Sequence, residues 1–137
     1  MPAHNFDYAV LRVVPRVERD EFVNAGVILY CRPLDFLDAR VALDRARLTA
    51  FFPAAAGDID TIERALSIVP RICAGDFEAG PIAALSQAER FHWLVAPRST
   101  IVQVSPVHSG LCDDPARMLD HLVDAMVRIE HPTRPRV

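Results

Sequence analysis

A charge-dense segment between two apolar runs holds the side chains best suited to binding an anion or a charged partner. Its sequence is Arg16-Val17-Glu18-Arg19-Asp20-Glu21-Phe22. Arginine forms planar, bidentate hydrogen bonds with carboxylates and phosphates, so the segment could bind an anion or dock on another protein. A solvated connector with internal ion pairs is the alternative, because surface charge runs contribute little free energy. The candidate residues for this site are Arg12, Arg16, Glu18, Arg19, Glu21 and Asn24.

A second polar group comes after the run Ala96-Pro97, where Arg98 and Ser99 precede a strand-like segment. In a strand, Ser99, Gln103 and Ser105 would point to one face, with His108 in the turn just beyond its end. An arginine, hydroxyl donors and a histidine suit phosphoryl chemistry, in which His108 would be the general acid or base. The alternative is an exposed strand with a surface histidine after it.

Composition and spacing argue against several other classes of site. All 15 basic residues are arginine, so lysine Schiff bases and phosphate-loop lysines are excluded. The formal charge of −3 gives no general attraction to nucleic acid, so the sequence does not favour a nucleic-acid partner. Asp113-Asp114 before Pro115 is typical of a helix start rather than of a metal site. We therefore expect neither a metal nor a cofactor.

Cys31, Cys73 and Cys112 are widely spaced and match no metal-binding pattern. Cys31 ends an apolar run and Cys73 lies on an apolar helical stripe, so both are predicted to be core residues. The first residues do not resemble a secretory signal, and no apolar run is long enough to cross a bilayer. These features predict a cytoplasmic protein, and the alanine- and arginine-rich composition is typical of a GC-rich bacterial genome.

Four apolar or alternating segments predict β-strands, at residues 6–14, 27–31, 36–43 and 100–104. Gly26 allows a turn or bulge before the second strand. The first three strands succeed one another through short connectors, which favours an antiparallel meander over parallel units.

Helical patterns occupy most of the remaining chain. Residues 44–52 form a short one, and residues 59–73 carry an apolar stripe in which Pro70 is expected to kink or split the helix. Ser86 and Glu89 have the spacing of a capping box, and Pro115 begins a final helix whose stripe runs to Ile129 and which Pro132 ends. The pattern predicts a single α+β domain over residues 1–131, an antiparallel sheet of about four strands with helices mainly on one face, and a mobile tail at 132–137.

Most of the chain resembles the bacterial DUF 3037 family, a domain of unknown function. The resemblance rests on Tyr8-x-x-Leu11-Arg12-x-x-Pro15-Arg16-x-Glu18-Arg19-x-Glu21-Phe22-x-Asn24-x-Gly26-Val27-Ile28-Leu29, on Ala96-Pro97-Arg98-Ser99 and on Ser105-Pro106-Val107-His108. It implies no catalytic role. Members of the family are encoded near kinases resembling the toxin of a toxin–antitoxin pair, so the resemblance implies a protein partner, such as a kinase of this kind.

The sequence supports two hypotheses about function. The first is an accessory or regulatory module that binds another protein through Arg16, Glu18, Arg19 and Glu21. The second is a small-molecule enzyme in which Arg12, Arg16 and Arg98 bind an anion near His108, which requires the two polar groups to meet in space. The apolar stripe of the last helix could pack in the core of a monomer or, equally, at the interface of a symmetric dimer.

Overall fold

The structure is a computed structural model, and it describes residues 3–128. Five antiparallel strands form one sheet in the order β3-β2-β1-β4, and β5 also pairs with β1. The strands are β1 (His4–Val13), β2 (Val23–Cys31), β3 (Phe36–Val41), β4 (Val102–Val104) and β5 (His108–Cys112). The predicted α+β class with an antiparallel sheet is confirmed.

β1 lies in the middle of the sheet, and two short strands share its second edge. β4 pairs with residues 11–13 of β1, and β5 pairs with residues 4–8. Ser105 closes the gap between them, because its N–H donates to the Val10 carbonyl and its hydroxyl accepts from the Val10 N–H, each at 2.8 Å. The sheet edge is therefore hydrogen-bonded where the two strands meet.

Gly26 lies at a β-bulge in the pairing of β1 with β2. Leu11 is opposite Gly26 and Arg12 is opposite Asn24, which leaves Ala25 as the extra residue. A Cβ at Gly26 would lie 2.5 Å from the Arg40 carbonyl oxygen of β3, so the position requires glycine. The predicted turn or bulge is confirmed as a bulge, and because the ladder continues through it, β2 begins at Val23 rather than at 27.

Other strand boundaries also differ from the sequence prediction. β1 starts at His4, β3 ends at Val41, and β4 is only three residues long. The prediction of a turn at His108 was wrong, because this residue begins β5. Its pairing with Tyr8 is long-range and is not visible in the local sequence pattern.

Four α-helices complete the fold of the described residues: α1 (Arg45–Phe51), α2 (Ile59–Cys73), α3 (Gln87–Leu94) and α4 (Pro115–Met126). Ser86 and Glu89 form the predicted capping box of α3, and Asp114 caps α4 with Pro115 in its first turn. Of the two outcomes expected at Pro70, a kink or a split, the split was wrong, because α2 continues through this residue. Pro70 lies in the last turn, so its missing N–H frees only one carbonyl.

The helices pack mainly on one face of the sheet. Residues of α1, α2 and α3 share one core cluster with Leu11, Val13 and Ile28. α4 packs on the opposite face, where Leu119, Leu122 and Val123 join Val27 and Leu29. The end of the predicted final stripe, at Ile129, and the predicted tail at 132–137 lie outside the described residues.

All three cysteines are buried and reduced, which confirms Cys31 and Cys73 as core residues. Burial raises the pKa of the Cys73 thiol to about 12. A thiol with such a pKa forms almost no thiolate at neutral pH, so Cys73 is a packing residue rather than a nucleophile.

Candidate functional site

The connector between β1 and β2 folds back on itself through a single 3₁₀ turn, Val17–Arg19. Asp20 comes next in the left-handed conformation, with φ of 53°, and redirects the chain towards β2. We use the name connector surface for six side chains of this segment, five of them exposed and Glu21 half-buried: Arg16, Val17, Glu18, Arg19, Glu21 and Phe22.

The charged side chains of the connector surface pair with one another. The Arg16 Nε donates to the Glu18 carboxylate at 2.9 Å, and the Arg19 Nε donates to the Glu21 carboxylate. Hydrogen bonds from its own backbone N–H and from Arg16 hold the pKa of Glu18 below its ordinary value. The Glu21 carboxylate raises the pKa of Arg19. Internal ion pairing, one of the two interpretations of this segment, is therefore present.

Two apolar side chains of the same surface remain in contact with solvent. Val17 is 46% exposed and Phe22 is 36% exposed. The guanidinium of Arg12 lies over one face of the Phe22 ring, 4.0 Å from its centroid. The surface thus combines charges with apolar area, and Arg12 fixes the position of Phe22 through a cation–π contact.

Arg12 and Asn24 lie directly opposite each other on the face of the sheet that α4 covers. Asn24 donates through Nδ2 to the Met126 carbonyl at the end of α4, at 3.0 Å. The Arg12 Nε–H and the Asn24 Oδ1 are both buried and have no hydrogen-bond partner among the described residues. A donor and an acceptor are therefore placed on neighbouring strands beside Phe22.

Arg98 lies on the other face of the sheet and is held by Trp93. Its Nη2 donates to the Trp93 carbonyl at 2.6 Å, and its guanidinium carbon is 4.7 Å from the centre of the Trp93 ring. Both side chains line a cavity of about 290 Å³ between α2, α3 and β4. We call this cavity the apolar groove, because most of its walls are apolar: Leu11, Ala65, Ile68, Val69, Ile72, Leu94, Ile101, Val102 and Val104.

The three arginines of the enzyme hypothesis do not share one face. Leu11 lines the apolar groove with Arg98, whereas the next residue of β1, Arg12, points to the opposite face beside Asn24. Arg16 lines a separate hollow with Phe52 and Ile101. Ile101 also lines the apolar groove, so the hollow beside Arg16 and the groove beside Arg98 share this residue.

His108 lies further along the sheet, on β5. It pairs with Tyr8, and the centres of the two rings are 5.4 Å apart. Tyr8 precedes Arg12 by four positions on β1, which corresponds to ~13 Å along a strand. The lining of the apolar groove includes Arg98 but not His108. The histidine therefore lies apart from the arginine that it was expected to assist.

The predicted polar row at residues 99–105 is interrupted. Ser99 is exposed in an irregular segment before β4, and Gln103 donates to the Thr100 carbonyl at 2.9 Å. Ser105 is only 3% exposed, and its N–H and its hydroxyl both bond to Val10. Because Ser105 completes the sheet edge, the expectation that it faces a ligand was wrong.

Arg90 is a residue that the sequence analysis missed. It is 9% exposed, and its Nη1 donates to the carbonyls of Ile72 and Cys73 at 3.0 Å each. These carbonyls end α2, where a cation is favoured by the helix dipole. Arg90 follows the capping residue Ser86 by four positions, so the sequence places it on α3. No local pattern reveals that its side chain extends to the end of α2.

Residues 3–128 offer neither a metal-binding cluster nor a membrane-spanning helix. Within that range, no three side chains of histidine, cysteine, aspartate or glutamate cluster as metal ligands would. None of the helices in the same range has the length and apolar character needed to cross a membrane.

The comparison with protein families gives a match over most of the chain. A family described as "Protein of unknown function (DUF3037)" matches residues 8–127, which include both arginine motifs and the groove. The chain belongs to the DUF3037 family. Neither a curated protein nor a solved structure matches it.

Proposed function

We propose that this DUF3037 protein is an accessory or regulatory module of the bacterial cytoplasm that binds another protein through the connector surface. One observation supports the proposal above all: Val17 and Phe22 are exposed amid four charged side chains whose ion pairs, among the described residues, lie within the connector. Arginine and aromatic residues are enriched in protein interfaces, and interface centres combine them with a polar rim.

The internal ion pairs are compatible with such a role. The side chains of Arg16 and Glu18 are 59% and 65% exposed, so both remain accessible from solvent. Exposed ion pairs contribute little stability, and their partners exchange with water and with other charges at small cost. A partner of complementary charge pattern could therefore engage these groups without a large penalty, and the pattern would set its orientation.

The apolar groove extends the proposed docking surface. Val14 donates to the Ile101 carbonyl at 2.7 Å, which fixes the end of β1 against the segment that leads into β4. Trp93, 41% exposed, and Arg98 lie at the groove beside this segment. Both residue types are enriched among side chains that dominate binding energy, and the groove would accept an apolar side chain of the partner.

The family resemblance suggests which partner to test first. It implies a kinase resembling the toxin of a toxin–antitoxin pair, and in that case the present chain would act on the kinase as its accessory subunit. The docking surface itself does not depend on this choice, because it requires only a protein with complementary charges and an apolar side chain.

A charge-reversal experiment tests the proposal. The tagged protein, purified gently from its own host, is expected to retain a protein partner in native mass spectrometry. The double variant Arg16→Glu with Arg19→Glu is expected to lose this partner, because both cationic groups of the connector surface become anionic.

The control variant is Arg45→Glu with Arg71→Glu, which changes the net charge equally on exposed helical positions. It is expected to retain the partner. A partner that survives the connector variant, or that both variants lose equally, would contradict the proposal, as would a wild-type protein without any protein partner.

A further inference from the structure

β5 leaves one sheet edge open. It pairs with β1 on one side, and the described residues place no strand on its other side. An open edge presents backbone N–H and C=O groups in a row, which can pair with a strand from another chain. This edge is separate from the connector surface, so its role is independent of the proposed function.

β5 lacks the features by which proteins protect such edges. Its five residues, His108–Cys112, contain no proline, no arginine and no carboxylate, and they pair with β1 without a bulge. The edge strand at the opposite end of the sheet, β3, carries Asp38 and Arg40, which form an ion pair. Charges on an edge strand oppose pairing with another chain, so β3 is protected and β5 is not.

An exposed leucine marks the same strand. Leu111 is 62% exposed, and Val107 just before β5 is 43% exposed. Both figures are high for large apolar side chains in or beside a strand, and burial against a partner strand would remove this area from water.

The charges around β5 favour a second copy of this chain as the partner. Antiparallel self-pairing centred on Leu111 brings the two Leu111 side chains directly opposite each other. It also places each His108 opposite the other copy's Asp114, which lies two residues after the strand. An imidazole N–H can donate to such a carboxylate, and no two carboxylates face each other.

We propose that the protein forms a symmetric dimer in which the β5 strands of two copies pair antiparallel and join their two five-stranded sheets into one. The interface is isologous, because each copy contributes the same strand to it. The connector surface follows the C-terminal end of β1, whereas β5 pairs with residues 4–8 at its N-terminal end, so the dimer would present two such surfaces.

Sedimentation velocity over a concentration series tests the proposal. The wild-type protein is expected to sediment as a dimer that dissociates on dilution. Leu111→Glu places two carboxylates against each other at the symmetry axis and should raise the dissociation constant by roughly tenfold or more. Phe77→Glu is the matched control, since Phe77 is 77% exposed elsewhere, and its dissociation constant should be unchanged.

A second variant identifies the strand directly. Leu111→Cys should be cross-linked to a covalent dimer by a short bis-maleimide reagent, whereas Phe77→Cys should not. The natural cysteines are buried, which keeps the background low. A wild-type protein that is monomeric throughout the series, an unchanged dissociation constant in Leu111→Glu, or equal cross-linking of both cysteine variants would overturn the proposal.

Discussion

Replacing Arg90 with alanine is expected to lower the free energy of unfolding by about 3 kcal/mol. The substitution removes the donor to the carbonyls of Ile72 and Cys73, two buried acceptors at the end of α2. Hydrogen bonds from a charged donor contribute ~1.5–3 kcal/mol each. Both bonds are lost, although the Ile72 carbonyl still accepts from the Gly75 N–H at 3.0 Å. Urea unfolding monitored by circular dichroism measures the change.

Two controls separate the causes of this effect. Arg71→Ala removes an exposed arginine of α2, paired with Asp76, and is expected to cost about 0.5 kcal/mol or less. Arg90→Met keeps most of the apolar stem but not the donors. If Arg90→Met were as stable as the wild type, packing rather than the capping of α2 would explain the role of Arg90.

Replacing Gly26 with alanine is expected to destabilise the fold by about 2–3 kcal/mol. The new Cβ would lie 2.5 Å from the Arg40 carbonyl oxygen and 3.0 Å from a methyl carbon of Leu11. The backbone oxygen belongs to β3, so relief requires β2 and β3 to separate or the bulge to move. Thermal unfolding should show a clearly lower midpoint.

Gly57→Ala is the matched control for this prediction. A Cβ at Gly57 meets no atom within 4 Å, and the residue is exposed, so its stability should change by no more than about 0.5 kcal/mol. Equal stability of Gly26→Ala and Gly57→Ala would contradict the account of the bulge. The expected role of Gly26 is therefore structural, because it allows the close approach of β2 to β3.

The sequence predicted the fold better than the site, and particular residues show why. Capping signals are local, so the starts of α3 and α4 at Ser86 and Asp114 could be predicted. β5 could not, because His108-Ser109-Gly110-Leu111-Cys112 has no clear alternation and depends on pairing with β1. Long-range pairing is set by tertiary structure rather than by local propensity.

The candidate site shows the same limit. Strand alternation alone places the Leu11 and Arg12 side chains on opposite faces of the sheet, so their separation can be predicted from the sequence. The position of Arg98 was not, because it depends on how Trp93 and α3 pack near the sheet edge. The separation of His108 from Arg98 likewise results from the division of one sheet edge between β4 and β5.

The charge pattern of the connector surface is proposed to bind a protein partner. The most direct test exchanges the charges within both ion pairs: Arg16→Glu with Glu18→Arg, and Arg19→Glu with Glu21→Arg. Net charge is unchanged and both pairs can still form, so only the pattern that faces the partner is reversed. An exchange of Arg45 with Glu63, another exposed pair, is the control.

The dissociation constant of the purified partner, measured by isothermal titration calorimetry, is the decisive quantity. The account predicts an increase of roughly 100-fold for the connector exchange and no change for the control. An unchanged dissociation constant for the connector exchange would contradict the account, because the partner would then bind elsewhere on the protein.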